Sequence, residues 1–139
     1  MSGKSHPSEW VAKARQDARS ARRLLADPPE LEVAAYHVQQ AVEKAVKAGL
    51  AEQGIKYPRG KGAGHDLDAL VNLVPVFHPL HAQAQALSDI TPWATAFRYP
   101  ADDPFTAQPL PTKQEIESRL TEAEALIEAV ALQAARDLA

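Results

Sequence analysis

Three groups of residues in this chain have the types and spacing to do chemistry. The first is Arg59, Lys61 and His65, in a stretch with glycines at 60, 62 and 64. Histidine titrates near neutral pH and can act as general base or acid. Arginine can hold a phosphate by two parallel hydrogen bonds. Arg59 and His65 beside Lys61 therefore fit cleavage of RNA by its own 2′-hydroxyl. That reaction needs a base, an acid and a cation for the crowded phosphorus. The structural alternative is that His65 caps the following helix, held by Asp66 or a backbone group. The second group is Gln40, Glu43, Lys44 and Lys47. Gln40 to Lys44 and Glu43 to Lys47 are both i,i+4 pairs, so the four share one side of a helix. They read either as ordinary surface pairs or as the wall of a phosphate or base pocket. The third is Arg98 and Tyr99, before Pro100. Arg98 either contacts substrate or ties its segment to Glu43 or Asp66.

Other polar features carry less chemistry. Arg15, Arg19, Arg22 and Arg23 make a basic stripe on one helix, which reads as a solvated face or as a contact for an anionic partner. His78 and His81 are three apart, but Pro79 between them splits the rings and no further ligand signature accompanies them; no metal site is expected. His37 is expected to pack or to lie at an interface. Gly60-Lys61-Gly62 is too short for a nucleotide-triphosphate loop, and no cofactor is implied.

The elements that must position these groups are helical. The 139 residues contain 27 alanines and 14 leucines against 13 valines and isoleucines, which favours helix over strand. The length suits one domain over residues 1–139. A first helix is expected over 9–26, with Ser8 as N-cap and 1–8 flexible. Trp10, Ala14, Ala18, Ala21 and Leu25 recur on one face, and Asp27-Pro28-Pro29 stops the helix. A second runs over 30–53 with a broad small-residue face and Gly54 just past its end. A third, short helix spans 66–74. A fourth begins at Pro79 and runs to 89, and Thr91-Pro92 starts a new turn carrying Trp93 and Phe97. A Pro-rich crossing segment fills 99–111. Thr112-Lys113-Gln114-Glu115 is a capping box opening the last helix, over 112–138. The expected fold is an all-α, up-and-down antiparallel bundle of four to five helices.

Charge and composition narrow the partners. The formal net charge is −3, but residues 1–61 hold 11 basic and 7 acidic side chains (+4), and residues 62–139 hold 4 and 11 (−7). A basic front half attracts phosphates, while an acidic second half resists non-specific adhesion to nucleic acid. With no cysteine, thiolate zinc sites, disulfides and cysteine nucleophiles are excluded. No apolar run is long enough to span a membrane, and the first residues lack a signal-peptide pattern. A cytoplasmic location and no membrane partner are therefore expected.

The stretch Ala35-Tyr36-His37-Val38-Gln39-Gln40-Ala41-Val42-Glu43-Lys44-Ala45-Val46-Lys47-Ala48 resembles the signature helix of HEPN domains. That helix carries Gln-Gln-Ala-x-Glu-Lys-x-x-Lys-Ala after an aromatic residue. His65-Asp66-Leu67 and Arg98-Tyr99-Pro100 resemble two further segments of that family, in the same order. The resemblance implies a homodimeric bundle binding nucleotide or RNA. It also implies work alongside a small nucleotidyltransferase in a toxin–antitoxin or defence system. Implied nucleotide- and phosphate-binding residues are Gln40, Glu43, Lys44, Lys47, Lys61 and Tyr99. Many members are metal-independent endoribonucleases with Arg-x4–6-His on a late helix. Here no histidine follows Arg98; the Arg59–His65 pair has that spacing but precedes the third helix. The catalytic candidates are therefore His65, Arg98 and Arg59, with a non-catalytic dimerisation or interaction module as the other alternative.

Overall fold

The computed structural model describes residues 6–57, 66–97 and 109–138. Within them are five α-helices: α1 (Pro7–Leu24), α2 (Leu31–Glu52), α3 (Leu67–Leu73), α4 (Pro79–Gln85) and α5 (Lys113–Leu138). A 3-10 helix, Ser88–Ala94, lies between α4 and α5. The described residues contain no strand, and the all-α bundle expected from alanine and leucine usage is what forms.

Helix direction follows from the side-chain pairs. Asp17 of α1 meets His37 and Lys44 of α2, whereas the earlier Trp10 meets the later Lys47. Likewise Arg15 meets Glu128 of α5, and the later Arg22 meets the earlier Glu124. So α1 is antiparallel to both, and α2 and α5 run the same way, as the second and fourth legs of an up-and-down bundle do. The α1–α2 pairing is the most extensive in the fold. Small side chains make the interface: Ala14, Ala18 and Ala21 on α1, and Ala34, Ala41 and Ala48 on α2, are all buried. The rest of the core comes mainly from Leu67, Leu70, Leu87 and Ile90, together with Ile116, Leu120, Leu126 and Ile127 of α5.

Helix ends differ in detail from the sequence reading. α1 starts at Pro7, with His6 rather than Ser8 as its cap; the ring Nδ1 accepts from the Ser8 amide at 3.2 Å. Proline at the first helical position loses no hydrogen bond, which lets the helix reach back that far. Asp66 caps α3 itself, accepting from the amides of Asp68 and Ala69; His65 lies outside the described residues. The fourth helix ends at Gln85, and Thr91 does not cap a new α-helix. Its hydroxyl donates to the Ser88 carbonyl and accepts from the Leu67 amide, which pins a tighter 3-10 turn against α3. Thr112 does cap α5, accepting from the Glu115 amide at 3.1 Å. Of the crossing segment, only 109–111 falls among the described residues.

Two glycines in and after α2 differ in kind. Gly54 has a φ of +69°, a left-handed conformation that costs a residue with a Cβ about 1–2 kcal/mol. Gly49 is helical, and a Cβ there meets only Leu80 and Val130, at 4.0 Å, an ordinary contact. Alanine is favoured over glycine inside a helix by roughly 0.8–1 kcal/mol. Gly49→Ala should therefore raise denaturant-measured stability by about that amount, and Gly54→Ala should lower it. A loss at Gly49 would show that α2 sits closer to its neighbours than 4.0 Å implies.

Candidate functional site

The polar residues of α2 lie on one face of an otherwise apolar helix. Four are almost fully enclosed: Gln39, Gln40, Glu43 and Lys47 are at most 9% exposed. They bond in a chain. The Gln40 amide donates to Gln39 Oε1 at 2.7 Å, and the Gln39 amide donates to Glu43 Oε1 at 3.4 Å. Lys47 Nζ donates to Glu43 Oε2 at 2.9 Å. The Lys47 ammonium also lies 5.4 Å from the Trp10 ring centre and 5.9 Å from that of Tyr57, within cation–π range. Those two rings meet edge-on. The Trp10 indole nitrogen is enclosed and has no hydrogen-bond partner among the described residues.

The same face continues to the surface at His37 and Lys44. Both turn toward Asp17, which α1 supplies. His37 Nδ1 lies 2.8 Å from Asp17 Oδ1, and Lys44 Nζ donates to Oδ2 at 2.6 Å. Asp17 is 8% exposed, while the side chains of His37 and Lys44 keep 27% and 24%. Tyr36 packs edge-on to His37, ring centres 5.3 Å apart. It also lines an open cleft of about 320 Å³ with Val33, Trp93 and Phe97.

The sequence placed Gln40, Glu43, Lys44 and Lys47 on one side of α2, and the fold does so. The Glu43–Lys47 pair forms as spaced. The Gln40–Lys44 pair is replaced: Gln40 bonds Gln39, and Lys44 bonds Asp17. Lys44 is the surface cation of the set, and Lys47 is the enclosed one. Arg59, Lys61, His65, Arg98 and Tyr99 lie outside the described residues. The residue that sequence reasoning missed is Asp17. Its signal was available: it interrupts the apolar stripe of α1 between Ala14 and Ala18, and an acid on a buried stripe needs a partner.

The basic stripe of α1 is partly spent on structure. Arg15 makes two hydrogen bonds to Glu128, at 3.0 and 2.8 Å, and Arg22 pairs with Glu124. The hydrogen bond from Arg15 holds the Glu128 carboxyl below its ordinary range, and Glu128 holds the guanidinium above its own. Arg19 and Arg23 have no carboxylate partner among the described residues. The two histidines of the fourth segment diverge. His78 Nδ1 accepts from the Leu80 amide and caps α4, while His81 is buried and its Nδ1 donates to the Val74 carbonyl at 2.8 Å. Among the described residues no group of three or more histidine, aspartate or glutamate side chains is arranged to hold a metal ion. No helix among them is long and apolar enough to cross a membrane.

The family model of the HEPN domain matches residues 7–134. The chain belongs to the HEPN family. Two solved structures share its fold. One is ST0689, an archaeal HEPN homologue, with a TM-score of 0.65 and 23% identity, covering 94% of this chain and 98% of that one. The other is TT1696 from Thermus thermophilus, with a TM-score of 0.64 and 27% identity, covering 90% and 95%. A comparison with curated protein sequences finds no match. The helix that resembled the HEPN signature is α2, which carries both the enclosed polar chain and the His37–Lys44 edge.

Proposed function

We propose that this HEPN domain binds nucleotide or RNA along the polar face of α2, as a homodimer, and works beside a small nucleotidyltransferase of the toxin–antitoxin or defence type. The observation that carries the reading is the placement of Gln39, Gln40, Glu43 and Lys47 in the interior of the central helix. Polar groups withdrawn from water weaken a fold unless each is paired, and an apolar set would pack α2 as well. A hydrogen-bonded chain of this kind gives something an apolar core does not: a fixed polar wall behind the surface residues His37 and Lys44. The aromatic cleft of Tyr36, Trp93 and Phe97 supports the same reading, because bases stack on aromatic side chains. The dimer and the nucleotidyltransferase come from the family resemblance.

The test combines binding, cleavage and mass. Fluorescence polarisation with ATP, GTP and a short single-stranded RNA should show binding that weakens in Lys44→Ala. The same RNA incubated in EDTA with wild type and with His65→Ala separates binding from catalysis. Cleavage lost in the variant moves the protein to the metal-independent endoribonucleases, with His65 as base. Binding without cleavage leaves the reading as stated. Neither binding nor cleavage, from folded protein that light scattering shows to be a dimer, leaves an interaction module.

A further inference from the structure

The pair Asp17–His37 contains more information than a surface salt bridge. A carboxylate only accepts hydrogen bonds, so the Nδ1 that lies 2.8 Å from Asp17 Oδ1 carries a hydrogen. In the neutral imidazole this leaves Nε2 as an acceptor with its lone pair outward. Nε2 has no partner among the described residues, and it is not one of the enclosed unpartnered atoms; it reaches solvent. Lys44 Nζ uses one of its three N–H groups on the other oxygen of the same carboxylate. One buried acid thus holds an acceptor and a cationic donor, two helical turns apart on α2, at a shared edge.

That pairing has a chemical complement. It suits a ligand that offers a hydroxyl donor next to a phosphate acceptor. In ribonucleic acid the 2′-hydroxyl and the 3′-phosphate stand on adjacent carbons of each sugar. DNA lacks the hydroxyl, and a free 5′-nucleotide lacks the 3′-phosphate. The geometry points to His37 as a ligand-contacting residue that reads the ribose 2′-hydroxyl, with Lys44 on the adjoining phosphate and Asp17 as the positioning residue for both. This inference rests on the nucleotide-or-RNA reading above and narrows it to RNA.

The experiment compares three probes of one mixed sequence: single-stranded RNA, its 2′-fluoro analogue, and DNA. The fluoro sugar keeps the size and pucker of ribose but cannot donate. Wild type should bind RNA about three- to tenfold more tightly than the fluoro analogue, the range for one hydrogen bond. His37→Phe keeps the ring against Tyr36 and removes the acceptor; it should bind both probes alike. Lys44→Ala should weaken both by the same factor and keep the preference. In Asp17→Asn the Lys44 ammonium, a donor only, keeps the amide oxygen and leaves the amide N–H facing Nδ1, so nitrogen NMR should show the ring hydrogen moving to Nε2, with the preference lost. Circular dichroism checks that each variant is helical. Equal wild-type binding of RNA and the fluoro analogue, or a preference that survives in His37→Phe, overturns the inference and leaves the nucleotide-or-RNA reading standing. Binding of none of the probes, with ATP and GTP also unbound, overturns both.

Discussion

Lys47→Ala should lower the stability of the bundle by about 3 kcal/mol, the scale for removing one partner of a buried ion pair. The side chain is 11% exposed and its ammonium bonds Glu43, whose side chain is 4% exposed. The truncation withdraws the cation and leaves the carboxylate inside, with the Gln39 amide 3.4 Å away. It also removes a four-carbon stem, and the cation, from beside Trp10 and Tyr57. Lys47→Met separates the two effects, because methionine fills much of the stem's volume without the charge. Chemical denaturation should rank the proteins wild type, Lys47→Met, Lys47→Ala. If Lys47→Ala costs less than about 1 kcal/mol, the range of a solvated pair, the ammonium is hydrated in solution and is free to meet a phosphate. The same measurement therefore decides whether Lys47 belongs to the scaffold or to the ligand surface.

The second large effect lies on α5. Leu120 is fully buried among Ile116, Ala123 and Ile127 on one stripe. Leu120→Ala should cost about 3 kcal/mol, within the range of roughly 2–5 kcal/mol for core leucines. For a domain of this length that is roughly a 10 °C fall in Tm. Leu132, on the same helix, is 54% exposed, and Leu132→Ala should change stability by less than about 0.5 kcal/mol. Equal losses at the two positions would mean that the far end of α5 is covered in solution, as it would be by a second copy or a partner chain.

The sequence made the fold legible where periodicity and capping agree. The Trp10–Ala14–Ala18–Ala21 stripe, the proline pair after α1 and the Thr112 capping box each put an element within a few residues of its place. Where two local signals compete, tertiary contacts decide. Thr91-Pro92 has the pattern of a helix start, yet the Thr91 hydroxyl serves the Leu67 amide and Ser88 carbonyl, and a 3-10 turn results. Spacing along α2 identified a shared face for Gln40, Glu43, Lys44 and Lys47 but not which pairs close. An i,i+4 interaction is worth only a few tenths of a kcal/mol. A buried carboxylate reaching across from α1 outcompetes it for Lys44. That competition cannot be seen until α1 and α2 are docked, which is why His37 reads from sequence only as packed or at an interface, and why Asp17 is not singled out there.

The two seams of α1 respond differently to dissolved ions. The seam with α5 is bridged by Arg15–Glu128 and Arg22–Glu124, whose side chains are 42–65% exposed. At about 1 M salt the screening length shrinks to roughly 3 Å, and such exposed pairs lose their attraction. The seam with α2 is clamped by Asp17, which water and counterions barely reach. Brine therefore loosens one side of the first helix and leaves the other closed. In concentrated electrolyte α5 is held by its buried Ile116, Leu120, Leu126 and Ile127 alone, while α1 and α2 keep their ionic clamp, with His37 and Lys44 still held at its edge.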